Sequence, residues 1–185
     1  NKKGQLIKEA PDAYGLSGEP HYYFIHAYNC IYECEYCYLQ GYFNSPDIVI
    51  FVNHEDIKKS IIDTYNKHPN RTVWFHAGEF SDSLALSHIT GECEFYFDTF
   101  KDLPNAKLEL RTKSANIQTL KKLSPLKNVI TSLSLAPETK IKNLDRKTAT
   151  YKQRLKTLET LHSLGHPVAL HFDPIIYTDD FAEDY

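Results

Sequence analysis

The sequence has no apolar run approaching the roughly 18 residues that would suggest a membrane span, and its apolar stretch Ile48–Val52 is far too short. Nothing in it resembles a signal peptide, so the expectation is a cytoplasmic protein with no membrane partner. It also lacks a basic excess: Lys and Arg number 21 against 24 Asp and Glu, for a net charge of −3. A nonspecific nucleic-acid binder normally carries a basic face. Nucleic acid is therefore admitted as a partner only through a local groove, and is not favoured. The lysines scattered through Lys101–Lys127 read as a solvated helix face. Cysteine is scarce, at 4 in 185 residues, and too clustered for a disulfide scaffold. No repeat or low-complexity stretch divides the chain. With 42% hydrophobic and 24% charged residues it has the make-up of one ordinary globular domain.

What is present is an alternation of strand and helix signals. Residues 1–20, with Pro11, Gly15, Gly18 and Pro20 and no periodicity, read as an irregular lead-in, and residues 21–185 as the folded domain. His21–Ala27 (HYYFIHA) is aromatic and β-rich and makes a first strand. The cysteine segment follows as a loop, then Ile48–Val52 as a short extended piece. Asn53 is placed to cap a helix over His54–Lys67, with Ile57, Ile61 and Ile62 on one face. Thr72–His76 reads as a strand, and Leu84–Phe100 holds at least one helix. Lys107–Thr112 is the next strand, followed by a helix over Ser114–Leu123 capped by Ser114. Asn128–Leu135 is a strand, and Tyr151–Leu164 a helix opened by Thr148 or Thr150 and stopped by Gly165. Val168–Phe172 is the last strand. Such alternation with short connections predicts an α/β fold of parallel strands covered by helices, either a (β/α) barrel or an open sheet. Both gather functional groups at the carboxyl ends of the strands. The chain stops soon after the fifth strand, so a partial barrel with outer helices, or one truncated there, is expected.

Cys30, Cys34 and Cys37 are spaced C-x3-C-x2-C in the loop after the first strand. Thiolates are the usual ligands of iron–sulfur clusters, and a compact loop can wrap three of them around one cubane. Three protein ligands leave the fourth iron open to a small molecule, much as a catalytic zinc keeps an open position. No histidine lies inside the loop, although His26 is near, and Cys93 is the only other cysteine. A zinc site completed by His26 or Cys93, and plain buried thiols, are the competing readings. Cys93, in GECEFYF, reads as a buried thiol. His21, His26, His76 and His171 lie in or beside strands, and no partner pattern singles one out.

The loop resembles the cluster loop of the radical S-adenosylmethionine superfamily. Cys34–Gln40 (CEYCYLQ) and Gly165–Tyr177 (GHPVALHFDPIIY) are similar to the corresponding stretches of its spore photoproduct lyase branch, and the likeness runs from about residue 20 to Tyr185. The resemblance implies a partial α/β barrel with a 4Fe–4S cluster on Cys30, Cys34 and Cys37 at its mouth. It further implies that the open iron chelates S-adenosyl-L-methionine, whose reductive cleavage yields methionine and a 5′-deoxyadenosyl radical that abstracts hydrogen from a substrate. An electron donor such as a flavodoxin or ferredoxin would be a partner.

The same resemblance suggests supporting residues. Gly78 and Glu79, after Ala77, resemble the superfamily's Gly-Gly-Glu element, in which a glycine lets backbone approach the ligand and a carboxylate answers its ammonium. Ser81 matches a serine that contacts the cofactor, Lys113 a lysine that pairs with its carboxylate, and Ser134 a serine near the ribose. Strand alternation puts Ser132 and Ser134 on one face. Tyr36 stands where an aromatic residue's backbone reaches the adenine, and Tyr38 matches a tyrosine of the lyase's hydrogen-transfer relay. Asp173, before Pro174 and just after the fifth strand, is a candidate for cofactor or substrate. Plainer readings stay open for each: a turn carboxylate, a loop serine, a solvated lysine, a core serine, or one of 13 tyrosines.

One position breaks the pattern. The lyase branch carries, on the loop after its second strand, a cysteine that returns hydrogen to the product radical. In FHAGEFSD that place is held by Glu79, whose O–H bond is far stronger than a thiol S–H. The expected activity is therefore cleavage of S-adenosylmethionine on behalf of an unidentified substrate. A DNA photoproduct lyase with a displaced hydrogen donor, and a nonenzymatic metal-binding or electron-transfer module, are the alternatives. Anaerobic reconstitution with iron and sulfide tests the ligand set. Changing Cys30, Cys34 or Cys37 to Ala should abolish the cluster's visible absorbance, whereas Cys93→Ala should keep it.

Overall fold

Strands with alternating apolar residues must bury one face, and in this computed structural model, which describes residues 1–11 and 18–185, that requirement arranges the chain around one sheet. In chain order the elements begin with β1 (Ile7–Glu9), β2 (His21–Phe24), β3 (Ala27–Tyr28), β4 (Glu33–Cys34), α1 (Leu39–Tyr42), β5 (Val49–Ile50) and α2 (His54–Asn66). They continue with β6 (Val73–Ala77), α3 (Ser87–Thr90), α4 (Glu92–Phe100), β7 (Ala106–Thr112) and β8 (Val129–Ser134). The chain then runs through α5 (Glu138–Leu144), β9 (Asp145–Arg146), α6 (Tyr151–Ser163), β10 (Val168–His171) and α7 (Phe181–Asp184).

The main sheet has 6 strands in the order β1-β2-β6-β7-β8-β10. β1 pairs antiparallel with β2, and every other neighbouring pair is parallel. The parallel strands follow one another in chain order without a reversal, and β1 and β10 form the edges of an open sheet. This is the expected α/β arrangement with a mainly parallel sheet.

All the long helices cover the same face. Ile57 and Ile61 of α2, Tyr96, Phe97 and Phe100 of α4, and Leu161 of α6 share one core with Phe24, Phe75, Leu108, Leu110 and Val129 of the strands. Each such side chain contributes about 1.5–3 kcal/mol when taken out of water. The alternate strand residues point to the other face, which is polar. There His76 lies opposite Glu109 in the register of β6 and β7, and Arg111 opposite Ser132 in that of β7 and β8.

Several expectations need correction. The lead-in is not wholly irregular, because Ile7 is buried and Ile7–Glu9 adds an edge strand to β2; Gly15 lies outside the described residues. The first strand is shorter than expected, since Ala27–Tyr28 leaves the sheet and pairs with Val49–Ile50. Ser114–Leu123 is not a helix beyond a 3-10 turn at Leu120–Lys122. Ser114 Oγ accepts from the Asn116 amide at 2.9 Å, and Asn116 Nδ2 donates to the Leu84 carbonyl at 3.0 Å. Such side-chain-to-backbone bonds compete with helix formation. Asn53 does precede α2 but makes no cap bond; its Oδ1 accepts from the Lys2 amide at 2.8 Å instead. α5 was not expected, and it opens directly after Pro137.

Thr150 caps α6 in a reciprocal box: its Oγ1 accepts from the Gln153 amide at 3.3 Å while Gln153 Oε1 accepts from the Thr150 amide at 2.8 Å. Gly165, at φ +87°, ends the segment in a conformation that suits glycine. In urea titrations Thr150→Ala should cost about 1 kcal/mol. Phe100→Ala, which empties a site of 0% exposure, should cost about 3–5 kcal/mol.

A candidate active site lined by three cysteines

The cysteine loop is pinned at several points. Asn29 takes φ +63°, and its Nδ2 donates to the Ser45 and Asp47 carbonyls at 2.8 and 2.7 Å. Further on, Cys34 pairs with Asp145 as β4 runs antiparallel to β9, and the Glu35 amide donates to the Leu144 carbonyl at 2.9 Å. The Cys37 amide then turns back onto the Cys34 carbonyl at 3.0 Å, and α1 begins two residues later. All four cysteines are free thiols.

Cys30, Cys34 and Cys37 line one cavity, together with Gly78, Ser81, Lys113 and Ser134. Among the described residues no three His, Cys, Asp or Glu side chains are grouped closely enough to hold a single metal ion. The three cysteines line one cavity, and a cubane carries each thiolate on a different iron. His26, the other donor weighed for zinc, is buried and faces Glu92 at 3.6 Å. Burial pushes the Cys30 thiol up to about 12 and Cys34 up to about 11; Asp145 adds to the latter shift and Lys113 opposes it. These thiols are protonated in the metal-free protein, so a metal would have to displace the protons.

The opposite wall is built by the loop after β6. Gly78 takes φ +93°, and a Cβ there would stand 2.5 Å from Ser83 Oγ and 3.2 Å from the Arg111 carbonyl. Asp82 then stitches this loop to the end of β7. Its Oδ1 accepts from Thr112 Oγ1 at 2.7 Å and from the Leu84 and Ala85 amides at 3.0 and 2.9 Å, while Oδ2 accepts from the Lys113 amide at 2.8 Å. Asp82, Arg111 and Thr112 also line the cavity and were not singled out in the sequence. The available signal for Asp82 was an Asx turn just before an apolar segment.

Other expected residues lie elsewhere. Glu79 does not line the cavity; its Oε1 faces the Tyr38 hydroxyl at 3.5 Å, beyond a good hydrogen bond. Tyr38 is exposed and makes edge contacts with Tyr42 and Phe80, at 5.5 and 6.0 Å between ring centres. Tyr36 donates its hydroxyl to Asp145, and Lys113 Nζ lies 5.6 Å from the centre of its ring. Asp173 follows β10 at 3.9 Å from His171 and is outside the cavity. Cys93 is 1% exposed in the core, as expected of a structural thiol.

The inner face of the sheet carries a polar chain that sequence reading missed. His21 Nδ1 lies 3.0 Å from His76 Nε2, His76 Nδ1 2.6 Å from Glu109 Oε2, and an Arg111 guanidinium nitrogen donates to the same oxygen at 3.0 Å. Burial alone would raise the Glu109 carboxyl, but the His76 bond and the Arg111 charge outweigh it and hold it at about 2.

A carboxylate held below its ordinary value of 4.5 stabilises the fold above that pH, and the contribution is lost as pH falls toward about 2. Glu109→Gln should therefore flatten the acid limb of a stability–pH curve across that window. Gly78→Ala should cost about 1–3 kcal/mol in thermal or urea unfolding, from its backbone conformation and the clash with Ser83.

Known proteins share this fold. A family model described as spore photoproduct lyase matches residues 17–185. Spore photoproduct lyase of Bacillus subtilis (strain 168) is 24% identical over 160 residues, which are 86% of this chain and 47% of that protein. The solved structure of a double mutant of spore photoproduct lyase with bound AdoMet and dinucleoside spore photoproduct superposes with TM-score 0.83 at 22% identity, over 89% of this chain and 48% of that one. The lyase complexed with dinucleoside spore photoproduct gives TM-score 0.80 at 22% identity, over 86% and 47%. At these identities the structural likeness speaks to the fold, and the chain spans about half the length of the relatives it matches. With one family model covering all but its first residues, this chain belongs to the spore photoproduct lyase family.

Proposed function

We propose that this chain holds a 4Fe–4S cluster on Cys30, Cys34 and Cys37, binds S-adenosyl-L-methionine in the adjoining cavity, and acts on a substrate other than spore photoproduct. The observation that carries the reading is the shared cavity of the three thiols with Gly78, Ser81, Lys113 and Ser134. When bound, the cluster and S-adenosylmethionine supply one-electron cleavage of a sulfonium and, through it, hydrogen abstraction. The electron comes from a separate donor such as a flavodoxin or ferredoxin.

The protein's own residues bind and orient. The Lys113 ammonium answers a carboxylate, and its amide is fixed by Asp82. Gly78 and Ser81, which line the cavity, meet the ligand's amino end, with Glu79 between them in the chain. Ser134 serves the ribose and the Tyr36 backbone the adenine. Tyr38 and Asp173, both outside the cavity, are left to substrate handling.

Among the described residues the cavity has no cysteine besides the three proposed ligands. Cys93 is packed in the core, and burial pushes its thiol above the ordinary range. Glu79 therefore has no evident replacement as hydrogen donor. The burial of Cys93 also disfavours a four-thiolate electron-transfer module. A photoproduct lyase with a displaced donor is the second reading. It is supported by the family match and by the Tyr38 phenol standing 3.5 Å from Glu79, where a weak O–H could serve.

The reconstituted protein, given dithionite and S-adenosylmethionine without oxygen, should release 5′-deoxyadenosine. Lys113→Ala should raise the KM for S-adenosylmethionine by about tenfold or more, as expected for loss of a charge-assisted contact. With a synthetic dinucleotide spore photoproduct the parent should give no repeated turnover to thymine, and Glu79→Cys should gain activity. Multiple turnovers by the parent would establish the second reading instead.

A further inference from the structure

Among the described residues Arg154 is the largest fully buried side chain, at 0% exposure, and it lies outside the cavity. Its ion pair with Asp145 joins side chains that are 0% and 4% exposed. A buried ion pair is a poor source of stability compared with apolar residues of the same volume, and it persists only where its hydrogen-bonding groups are satisfied. Every nitrogen of this guanidinium is used. Nε donates to the Ala149 carbonyl at 2.9 Å and NH1 to the Ser134 carbonyl at 2.8 Å, while NH2 donates to Asp145 Oδ2 at 2.7 Å and Thr148 Oγ1 at 2.6 Å.

These acceptors lead to different walls of the site. Ser134 lines the cavity itself. Ala149 donates its amide to the Lys113 carbonyl at 3.2 Å. Asp145 pairs through its backbone with Cys34, and its second carboxylate oxygen accepts the Tyr36 hydroxyl. The flanking pairs Arg146–Glu35 and Lys147–Glu33 are largely exposed and hold the loop far more weakly.

We infer that Arg154, Asp145 and the Tyr36 hydroxyl form a positioning assembly that fixes the cysteine loop against the ends of β7 and β8, and so sets Cys34 relative to Lys113 and Ser134. None of the three needs to touch the reacting atoms through these groups. The importance of that spacing for ligand binding rests on the proposed S-adenosylmethionine site; the mechanical coupling does not.

Two variants isolate the coupling. Tyr36→Phe keeps the ring and the backbone and removes only the hydroxyl. Arg154→Lys keeps the charge and removes the fork. In metal-free, reduced protein, iodoacetamide labelling read by peptide mass spectrometry reports each thiol separately. Cys34, at 6% exposure, should label about tenfold faster in both variants, the scale set by losing a hydrogen bond to a charged group. Cys93, at 1%, should stay protected. Parent-like labelling of Cys34 in Tyr36→Phe, with Cys93 protected, overturns the inference. If Cys93 is also exposed in Arg154→Lys, that variant has unfolded and Tyr36→Phe alone decides.

In reconstituted protein, titration of the reduced cluster's electron paramagnetic resonance signal with S-adenosylmethionine gives a second readout. Kd should rise about tenfold in Tyr36→Phe and at least as much in Asp145→Asn, which also removes the charge paired with Arg154, and the double variant should lose no more than Asp145→Asn alone, because the Tyr36 hydroxyl acts only through that carboxylate. Additive losses would overturn the inference. Should the parent itself show no response to S-adenosylmethionine, the proposed cofactor site falls, while the labelling result still judges the assembly.

Discussion

Arg154 and Asp145 meet in a site from which water is excluded, and the groups they hold belong to the cysteine loop, the end of β8, and the segment that carries β9 into α6. Those pieces are distant in sequence, and their own interactions with one another are slight. β4 and β9 are each only two residues long, which is too short to be stable without support. The buried ion pair adds the directional contacts that so small a ladder lacks. It also accounts for a polar residue being, among the described residues, the largest side chain fully hidden from solvent.

The sheet supplies the platform for this arrangement. Because the long helices all pack on one face, the other face is released from the demands of the core and can be polar. It carries His21, His76, Glu109 and Arg111 in a connected chain that begins near the edge of the sheet and ends at the cavity. A buried carboxylate survives there because two cationic or hydrogen-bonding neighbours offset its desolvation. The same polarity reaches Ser132 and Ser134 on the neighbouring strand.

The chemistry open to this site is constrained as much by what stands beside the cavity as by what lines it. The spare thiol, Cys93, is committed to the hydrophobic core, and Glu79 stands outside the cavity beside Tyr38.

The alternation of strand and helix, the close spacing of Cys30, Cys34 and Cys37 and the burial of Cys93 were legible in the sequence because each is fixed locally, by a period of two in strands, a turn-sized interval between thiols and apolar neighbours; the cap of α6 was narrowed only to Thr148 or Thr150, and the reciprocal bonds with Gln153 chose Thr150. Even so, local signals failed at Ser114–Leu123, where Asn116 bonds to a loop 32 and 31 residues away. The stitching role of Asp82, the chain from His21 to Arg111, and the linkage from Tyr36 through Asp145 to Arg154 were not legible. Each joins residues from separate strands or loops, as in the Tyr36–Asp145 separation of 109, and no periodicity in one segment encodes a partner in another. The sequence by itself determined the alternation of strand and helix and the cysteine loop, through short-range sterics and hydrophobic pattern. Only the tertiary structure decided which side chains share the cavity, because that depends on strand register and on which polar groups, once buried, find one another.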